Sequence, residues 1–349
     1  MNIPWVESPF FARELELRRD GLTANQQAFA ATYHQVGFLA IEDAVPHELC
    51  DRVVSEMQPL FEEPEVIQLR RVQDAWNQGA PSVRELATFA PIQELLGLLY
   101  GRKPIPFQTL DFKWGSQQPG HSDSLHFSCL PARFMCGVWV ALEDAHEANG
   151  PLFYYPGSHK LPEATVYDLG RTVRDPRYPQ YEAFQRELME ELGIEPVEFH
   201  ARKGSVLIWS SNIVHGGQPV TAEGSTRWSQ VTHYYFEDCI YYTPYLSEIP
   251  TGELFLKDIV DLNTLEPVDH SYDGRPLVVS PLANGRSRLS MDADAATLDD
   301  GAAHREQVVA LEAQLRAAHS ELDRLRRSRS FRLGNAMLEP LRALRKLLG

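Results

Sequence analysis

The 349-residue sequence has only four cysteines, Cys50, Cys129, Cys136 and Cys239, and no C-x-x-C pair. That excludes a dense disulfide framework and a structural zinc site, and it fits a reduced, cytoplasmic chain. Basic residues are also scarce: 33 Lys and Arg stand against 48 Asp and Glu, a net charge of −15. Such a chain has no general basic surface to exchange for phosphate counterions, so nucleic acid is not an expected partner. No stretch approaches the ~20 apolar residues of a membrane span. The opening MNIPWVESPFFARELELRRD has no continuous apolar core, so a secretory signal is not expected there.

What is present is apolar material, 43% of residues, enough for a substantial core. The spacing predicts a helix over 23–36, with Thr23 as N-cap and Gly37 as stop, then a strand in GFLAIEDAV. A second helix should begin near Pro46 with Leu49, Val53, Val54 and Met57 on one face. From about residue 104 the pattern changes to short apolar or alternating runs at 105–114, 121–128, 133–142, 151–155, 204–210 and 227–236. Runs of that kind predict an antiparallel sandwich or barrel. The insert 161–200 should carry a helix in QYEAFQRELMEELG; a lid and a plain surface excursion are both open for it.

The expected division is one domain over 1–281, a small and polar linker over 282–303, a heptad helix over 304–327 and a basic tail over 328–349. The heptad seam runs through Val308, Leu311, Leu315, Ala318, Leu322 and Leu325, and both a homo-oligomeric coiled coil and a helix folded on the body remain open. From Arg324 onward eight Lys and Arg face the single acid Glu339, so residues 324–349 carry +7 and residues 1–323 carry −22. Apolar and cationic residues interleave in the tail as in interfacial helices that lie on anionic lipid, although an Arg-rich helix can also be a solvated face.

The segment PGHSDSLHFS raises the functional question. In a strand, residues i and i+2 share a face, so His121 and Asp123 can aim at one point while His126 faces away. A second histidine, His215, follows the apolar strand 205–209 and precedes two glycines that allow close backbone approach. Two imidazoles and a carboxylate on one face of Fe(II) leave three positions open for a bidentate 2-oxoacid and O2. A 2-oxoglutarate co-substrate would also need a fixed cation for its distal carboxylate, and Arg227 is the candidate. His233 shares the face of Arg227 by the same parity; whether it meets substrate or fills core is open. His159, in the turn PGSHK, is expected to be structural.

The order HSD, FMCGVWVALED, NGPLFYYPGSHKLP and VHGG, followed by an arginine a dozen residues later, resembles the phytanoyl-CoA dioxygenase family over roughly residues 25–240. The resemblance implies a fold that is mainly β with α, a double-stranded β-helix (jelly roll, cupin-like) core with N-terminal helices, to which the spacing adds a C-terminal helical tail. It implies His121, Asp123 and His215 as catalytic metal ligands and Arg227 as the 2-oxoglutarate anchor. It places Trp139 in the co-substrate pocket, with core packing as its alternative, and Gln108 or Lys113 at the other end of the co-substrate. Fe(II), 2-oxoglutarate and O2 follow, with succinate and CO2 released as a small-molecule, lipid or sugar-linked substrate is hydroxylated.

Retention of the Asp123 carboxylate favours hydroxylation over halogenation, in which relatives carry a small residue. Ser205 departs from an acidic residue common in the family, outside the implied metal shell. The tail SRSFRLGNAMLEPLR is similar to tails of bacterial surface-polysaccharide transferases, which implies the inner membrane face as a location. Two other functions compete: a non-catalytic jelly-roll scaffold recruited through its helical tail in polysaccharide assembly, and a cupin-type isomerase or hydrolase with no need of Arg227.

Overall fold

The computed structural model describes residues 2–291. The expected heptad helix, the basic tail and the linker beyond residue 291 lie outside the described residues. Residues 282–291 of that linker belong to the same compact unit as the body, where Ser287–Ser290 pairs antiparallel with Val278–Pro281.

Helices α1 (Phe11–Arg18) and α2 (Ala24–Val36) come first. Thr23 and Gln26 close a capping box at the start of α2, and Gly37 ends it at φ +85°, where a side chain would be strained. After β1 (Phe38–Ile41), α3 (His47–Met57) buries Leu49, Cys50, Val53 and Met57 on one face, with Val54 at its margin. Then come α4 (Pro64–Leu69), β2 (Val72–Gln73), α5 (Pro81–Ala87) and α6 (Ala90–Tyr100).

The strand-rich half contains β3 (Pro104–Phe112), β4 (Ser128–Leu130), β5 (Met135–Ala141) and β6 (Leu152–Tyr154). Past α7 (Tyr178–Glu191), the helix of the insert, it continues with β7 (Val197–Phe199), β8 (Val206–Ser210), β9 (His215–Gly217), β10 (Ser229–Phe236) and β11 (Ile240–Tyr242). The larger sheet has the order β1-β8-β5-β10-β3-β2, the smaller one β7-β6-β9, and β4 pairs with β11. The architecture is a double-stranded β-helix with helices on one side.

Strands β5, β8 and β10 are buried along their whole length. That is why β5 and β8 read as nearly unbroken apolar runs, while β10 buries Ser229, Gln230, Thr232 and His233 as well. Their alternation still sorts side chains between two cores. Val138, Val140, Val206 and Ile208 pack in one core with Tyr33, Val53 and Leu99 from the helices. Trp139, Leu207, Trp209 and Val231 pack in the other with Leu152, Tyr154 and Phe199 of the smaller sheet.

One expected strand is absent. Over 121–128, His121 makes an isolated bridge to His215, Asp123–Leu125 is a 3-10 turn, and strand pairing resumes at Ser128. The three-residue strands β7, β9 and β11 escape sequence reading because alternation cannot be seen over so short a run.

The N-terminal turn Trp5–Glu7 is tied to the sheet through a buried carboxyl. Ser210 donates to Glu7 Oε1 at 2.8 Å, and Arg133 donates to Oε2 at 3.3 Å. Burial raises the Glu7 carboxyl from 4.5 to about 7, with the Arg133 charge and the Ser210 hydroxyl pulling downward. Because the folded value is the higher one, the native state binds the proton more tightly, so this stabilisation is complete below about 4.5 and fades as pH rises through about 7. Glu7→Gln, fixed neutral, should lose less stability than the parent between pH 5 and 8, by roughly 2 kcal/mol in urea unfolding. Parallel pH curves for the two proteins would contradict this.

Candidate functional site

Two backbone hydrogen bonds create the centre: His121 N–H donates to the His215 carbonyl and His215 N–H to the His121 carbonyl, each at 2.9 Å. An antiparallel pair of this kind sends both side chains to one side. The ring centroids are 4.6 Å apart. Nδ1 of His121 lies 2.9 Å from the Pro119 carbonyl and Nδ1 of His215 lies 3.2 Å from that of Ile213. Carbonyls only accept, so each neutral ring carries its proton on Nδ1 and presents a bare Nε2. These Nε2 atoms stand 3.9 Å from Asp123, His121 from Oδ1 and His215 from Oδ2.

One ligand atom from each of His121, Asp123 and His215 lies within 4.8 Å of the other two, and all three residues are buried. Two nitrogens and one carboxylate oxygen suit Fe(II) or a similar divalent ion. Burial and the neighbouring His215 pull the His121 imidazole down to about 4, so it stays neutral as a ligand must. Burial pushes the Asp123 carboxyl upward, but His215, His233, His121 and the Trp209 N–H together hold it below its ordinary range.

Asp123 owes its place to a turn rather than to strand alternation. Ser122 caps the 3-10 turn by accepting from Ser124 N–H, and its hydroxyl also donates to the Ser211 carbonyl at 3.0 Å. Ser124 N–H donates to the same carbonyl at 2.9 Å, and its hydroxyl reaches Asn212 Oδ1 at 3.1 Å. The structure therefore brings together the two residues that the i, i+2 reading paired, but through a turn and not through strand parity. Beyond the turn, His126 lies outside the ligand cluster and lines the cavity, its ring 5.3 Å from Tyr178 and 5.4 Å from Tyr245. His233 also lines the cavity, with Nε2 3.8 Å from Asp123 Oδ2 and Nδ1 unpartnered.

The cavity holds about 560 Å³ and takes in the three ligands, Gln108, Trp139 and Arg227. Arg227 is 1% exposed; it donates to the Gly150 carbonyl at 2.7 Å, its Nε has no partner, and no carboxylate lies within ion-pair distance among the described residues. Burial pulls its guanidinium down to about 10, with Glu143 opposing. The Glu143 carboxylate is engaged by Trp228 N–H and the Thr226 hydroxyl. Arg227 sits 5.6 Å over the Trp139 ring, whose Nε1 is also unpartnered.

Lys113 is not at the cavity. On β3, Gln108, Leu110 and Phe112 face inward, so position 113 falls on the other parity and its ammonium lies over Trp114 and Trp228. His159 is structural, as expected: it is packed against Gly37 and its Nε2 lies 3.2 Å from the His34 carbonyl. Sequence reasoning missed Trp209, whose Nε1 donates to Asp123 Oδ2 at 2.8 Å. Its inward parity with Leu207 was the available signal.

The comparisons join this geometry to known proteins. Residues 101–228 match the family model described as phytanoyl-CoA dioxygenase (PhyH). Over that segment the chain is similar to phytanoyl-CoA dioxygenases. A phytanoyl-CoA dioxygenase domain-containing protein 1 homolog of Caenorhabditis elegans is 28% identical over 120 residues, which is 32% of this chain and 39% of that protein. The ectoine dioxygenase of Bordetella parapertussis is 26% identical over 234 residues, 56% of this chain and 70% of that protein. The chain spans about half the length of the nematode phytanoyl-CoA dioxygenase relatives it matches. Among solved structures, the epimerase SnoN in complex with Fe3+, alpha ketoglutarate and nogalamycin RO shares the fold, with TM-score 0.50, 21% identity, and coverage of 76% of this chain and 98% of that one.

Within residues 101–228, Gly137 leaves the space that the Trp209 indole fills, and a Cβ there would overlap the ring. Trp209 thus orients Asp123 from a position set by Gly137. Trp209→Phe should lower Co(II) affinity by about 10- to 100-fold, as loss of an outer hydrogen bond to a metal ligand does. Gly137→Ala should act in the same direction by displacing the indole. Calorimetric titration of the metal-free protein checks both; unchanged affinity in Trp209→Phe would show that the indole does not position the carboxylate.

Proposed function

We propose that the protein is an Fe(II)- and 2-oxoglutarate-dependent dioxygenase that oxidises a small molecule. The observation that carries this reading is Arg227: a buried guanidinium without a counter-anion, in the same cavity as a His-Asp-His cluster. A buried cation of that kind is costly until an anion is supplied, and a dicarboxylate reaching from the metal ligands to Arg227 would supply it. The family match and the ectoine dioxygenase likeness support the same reading.

Bound Fe(II) would supply the oxygen and electron chemistry that side chains lack, with 2-oxoglutarate as the co-substrate converted to succinate and CO2. The chain's own residues have definite tasks. His121 and His215 present their Nε2 atoms because the Pro119 and Ile213 carbonyls accept from Nδ1–H. Asp123 is held ionised and aimed by Trp209. Arg227 would bind and orient the distal carboxylate, its guanidinium fixed by Gly150 and backed by the Trp139 face. Leu152, Val231 and Trp139 line the cavity and keep water from that end. The Asp123 carboxylate supports hydroxylation or a related oxidation over halogenation.

The scaffold alternative leaves the unpaired, buried Arg227 unexplained, and a cupin-type hydrolase or isomerase gives it no ligand. Tail-borne association with anionic membrane at the inner face of the cell, and oligomerisation through 304–327, complete the proposal on sequence grounds.

Anaerobic addition of Fe(II) and 2-oxoglutarate should produce the weak metal-to-ligand charge-transfer absorption, and admission of O2 should then yield succinate. Arg227→Leu should raise the KM for 2-oxoglutarate by about 100-fold, the loss expected when a charge-assisted bidentate pair of 2–3 kcal/mol is removed. Absence of both absorption and succinate in the metal-loaded parent protein would refute the reading.

A further inference from the structure

A second unpaired cation lines the same cavity. Lys257 is half-buried, and among the described residues no carboxylate lies within ion-pair distance of its ammonium, which sits 4.8 Å over the Phe127 ring and 5.8 Å over that of Phe107. The acid whose charge acts on it, Asp74, is already engaged: Oδ1 accepts from Thr109 N–H at 2.9 Å and Oδ2 from Gln73 at 3.2 Å. Arg71 stands at the exposed rim of the cavity, also without an acidic partner among the described residues.

These cations are not placed for the co-substrate. The charge of Lys257 is felt at His233 and His126, and that of Arg71 at His126. Arg227 lies six residues before His233 on the run leading into β10, roughly 20 Å of extended chain away. The cavity therefore has a cation toward each end. At the Lys257 end, His126, Tyr178 and Tyr245 form an aromatic corner, the two tyrosine rings meeting edge-on at 5.8 Å. On residues 1–291, which carry −16, cations without acidic partners among the described residues, beside tilted and edge-on rings, mark a site built for a ligand with a charge of its own.

Building on the oxygenase reading, we infer that the substrate is a small organic anion with a planar ring. Its carboxylate or phosphate is held by Lys257 and Arg71, and its ring packs against His126, Tyr178 and Tyr245. A point charge on Lys257 takes either anion, and the Arg71 guanidinium adds a forked contact. The aromatic corner supplies the apolar and stacking surface.

The test uses the full chain loaded with Zn(II) and 2-oxoglutarate, with ligand-observed NMR titrations of benzoate, phenyl phosphate and the neutral benzyl alcohol. At least one anion should bind about tenfold more tightly than benzyl alcohol, and Lys257→Met should abolish that advantage while Lys257→Arg keeps most of it. Phenyl phosphate ahead of benzoate assigns a phosphate ester to the site, and the reverse order assigns a carboxylate. If Lys257→Met fails to fold, Arg71→Gln at its exposed position should weaken the preferred anion about threefold. Benzyl alcohol binding as tightly as both anions, no detectable binding of either anion, or a folded Lys257→Met with unchanged anion affinity would each overturn the inference. Preserved anion preference with no succinate from the Fe(II)-loaded protein would instead strike the oxygenase reading.

Discussion

The mutual backbone pair between His121 and His215 is the constraint on which the centre depends. It is a single bridge, 2.9 Å in each direction, between a loop and the edge strand β9. That bridge sets the side-chain direction of both histidines, while neighbouring carbonyls two residues upstream set their tautomers. Close approach of the two segments is possible because β9 continues in glycine. A Cβ at Gly216 would collide with the Gln118 carbonyl and Phe153, and one at Gly217 with the Ser116 hydroxyl. Asp123 is then added by a turn pinned to residues 211 and 212, and it is locked by the indole across the sheet.

Desolvation is the dominant electrostatic effect around this centre, and the cavity answers it unevenly. Asp123 is fully compensated, since three histidines and an indole N–H outweigh its burial. Arg227 is not: Glu143 opposes the effect of burial without forming an ion pair. A buried charge left in that condition is unfavourable to the empty protein, which is the expected arrangement when binding, rather than folding, supplies the counter-charge. The orphaned Nε1 of Trp139 and Nδ1 of His233 extend the same asymmetry along the cavity wall.

Much of the scaffold was legible in the sequence because its signals are local. Thr23, Gln26 and Gly37 delimit α2 through capping chemistry alone, and the long buried strands announce themselves as apolar runs. The His121, Asp123 and His215 cluster was legible through spacing and motif order. The reason given for Asp123, strand parity, failed because a serine-capped 3-10 turn interrupts the expected strand. Lys113 failed for the complementary reason, since parity does hold along β3 and turns position 113 away from the inward set of 108, 110 and 112. Short strands such as β9 carry no periodicity, and parity with Leu207 turns Trp209 inward but does not name its partner Asp123, 86 residues away.

The same division between local and distant signals separates the chemistry from the substrate. His121, Asp123, Trp139, His215 and Arg227 all lie inside residues 101–228, the segment that matches the family model. They sit on or beside strands whose register is enforced by burial on both faces, so the geometry at that end follows from the fold. Arg71, Tyr245 and Lys257 lie outside that segment, on the approach to β2 and in the stretch after β11, where side-chain identity is not dictated by sheet packing. A rigid sandwich can therefore hold one reactive centre constant while the segments at its mouth vary in charge and aromatic content. Those mouth residues, together with His126 and Tyr178 inside the matched segment, are the ones our inference assigns to the substrate.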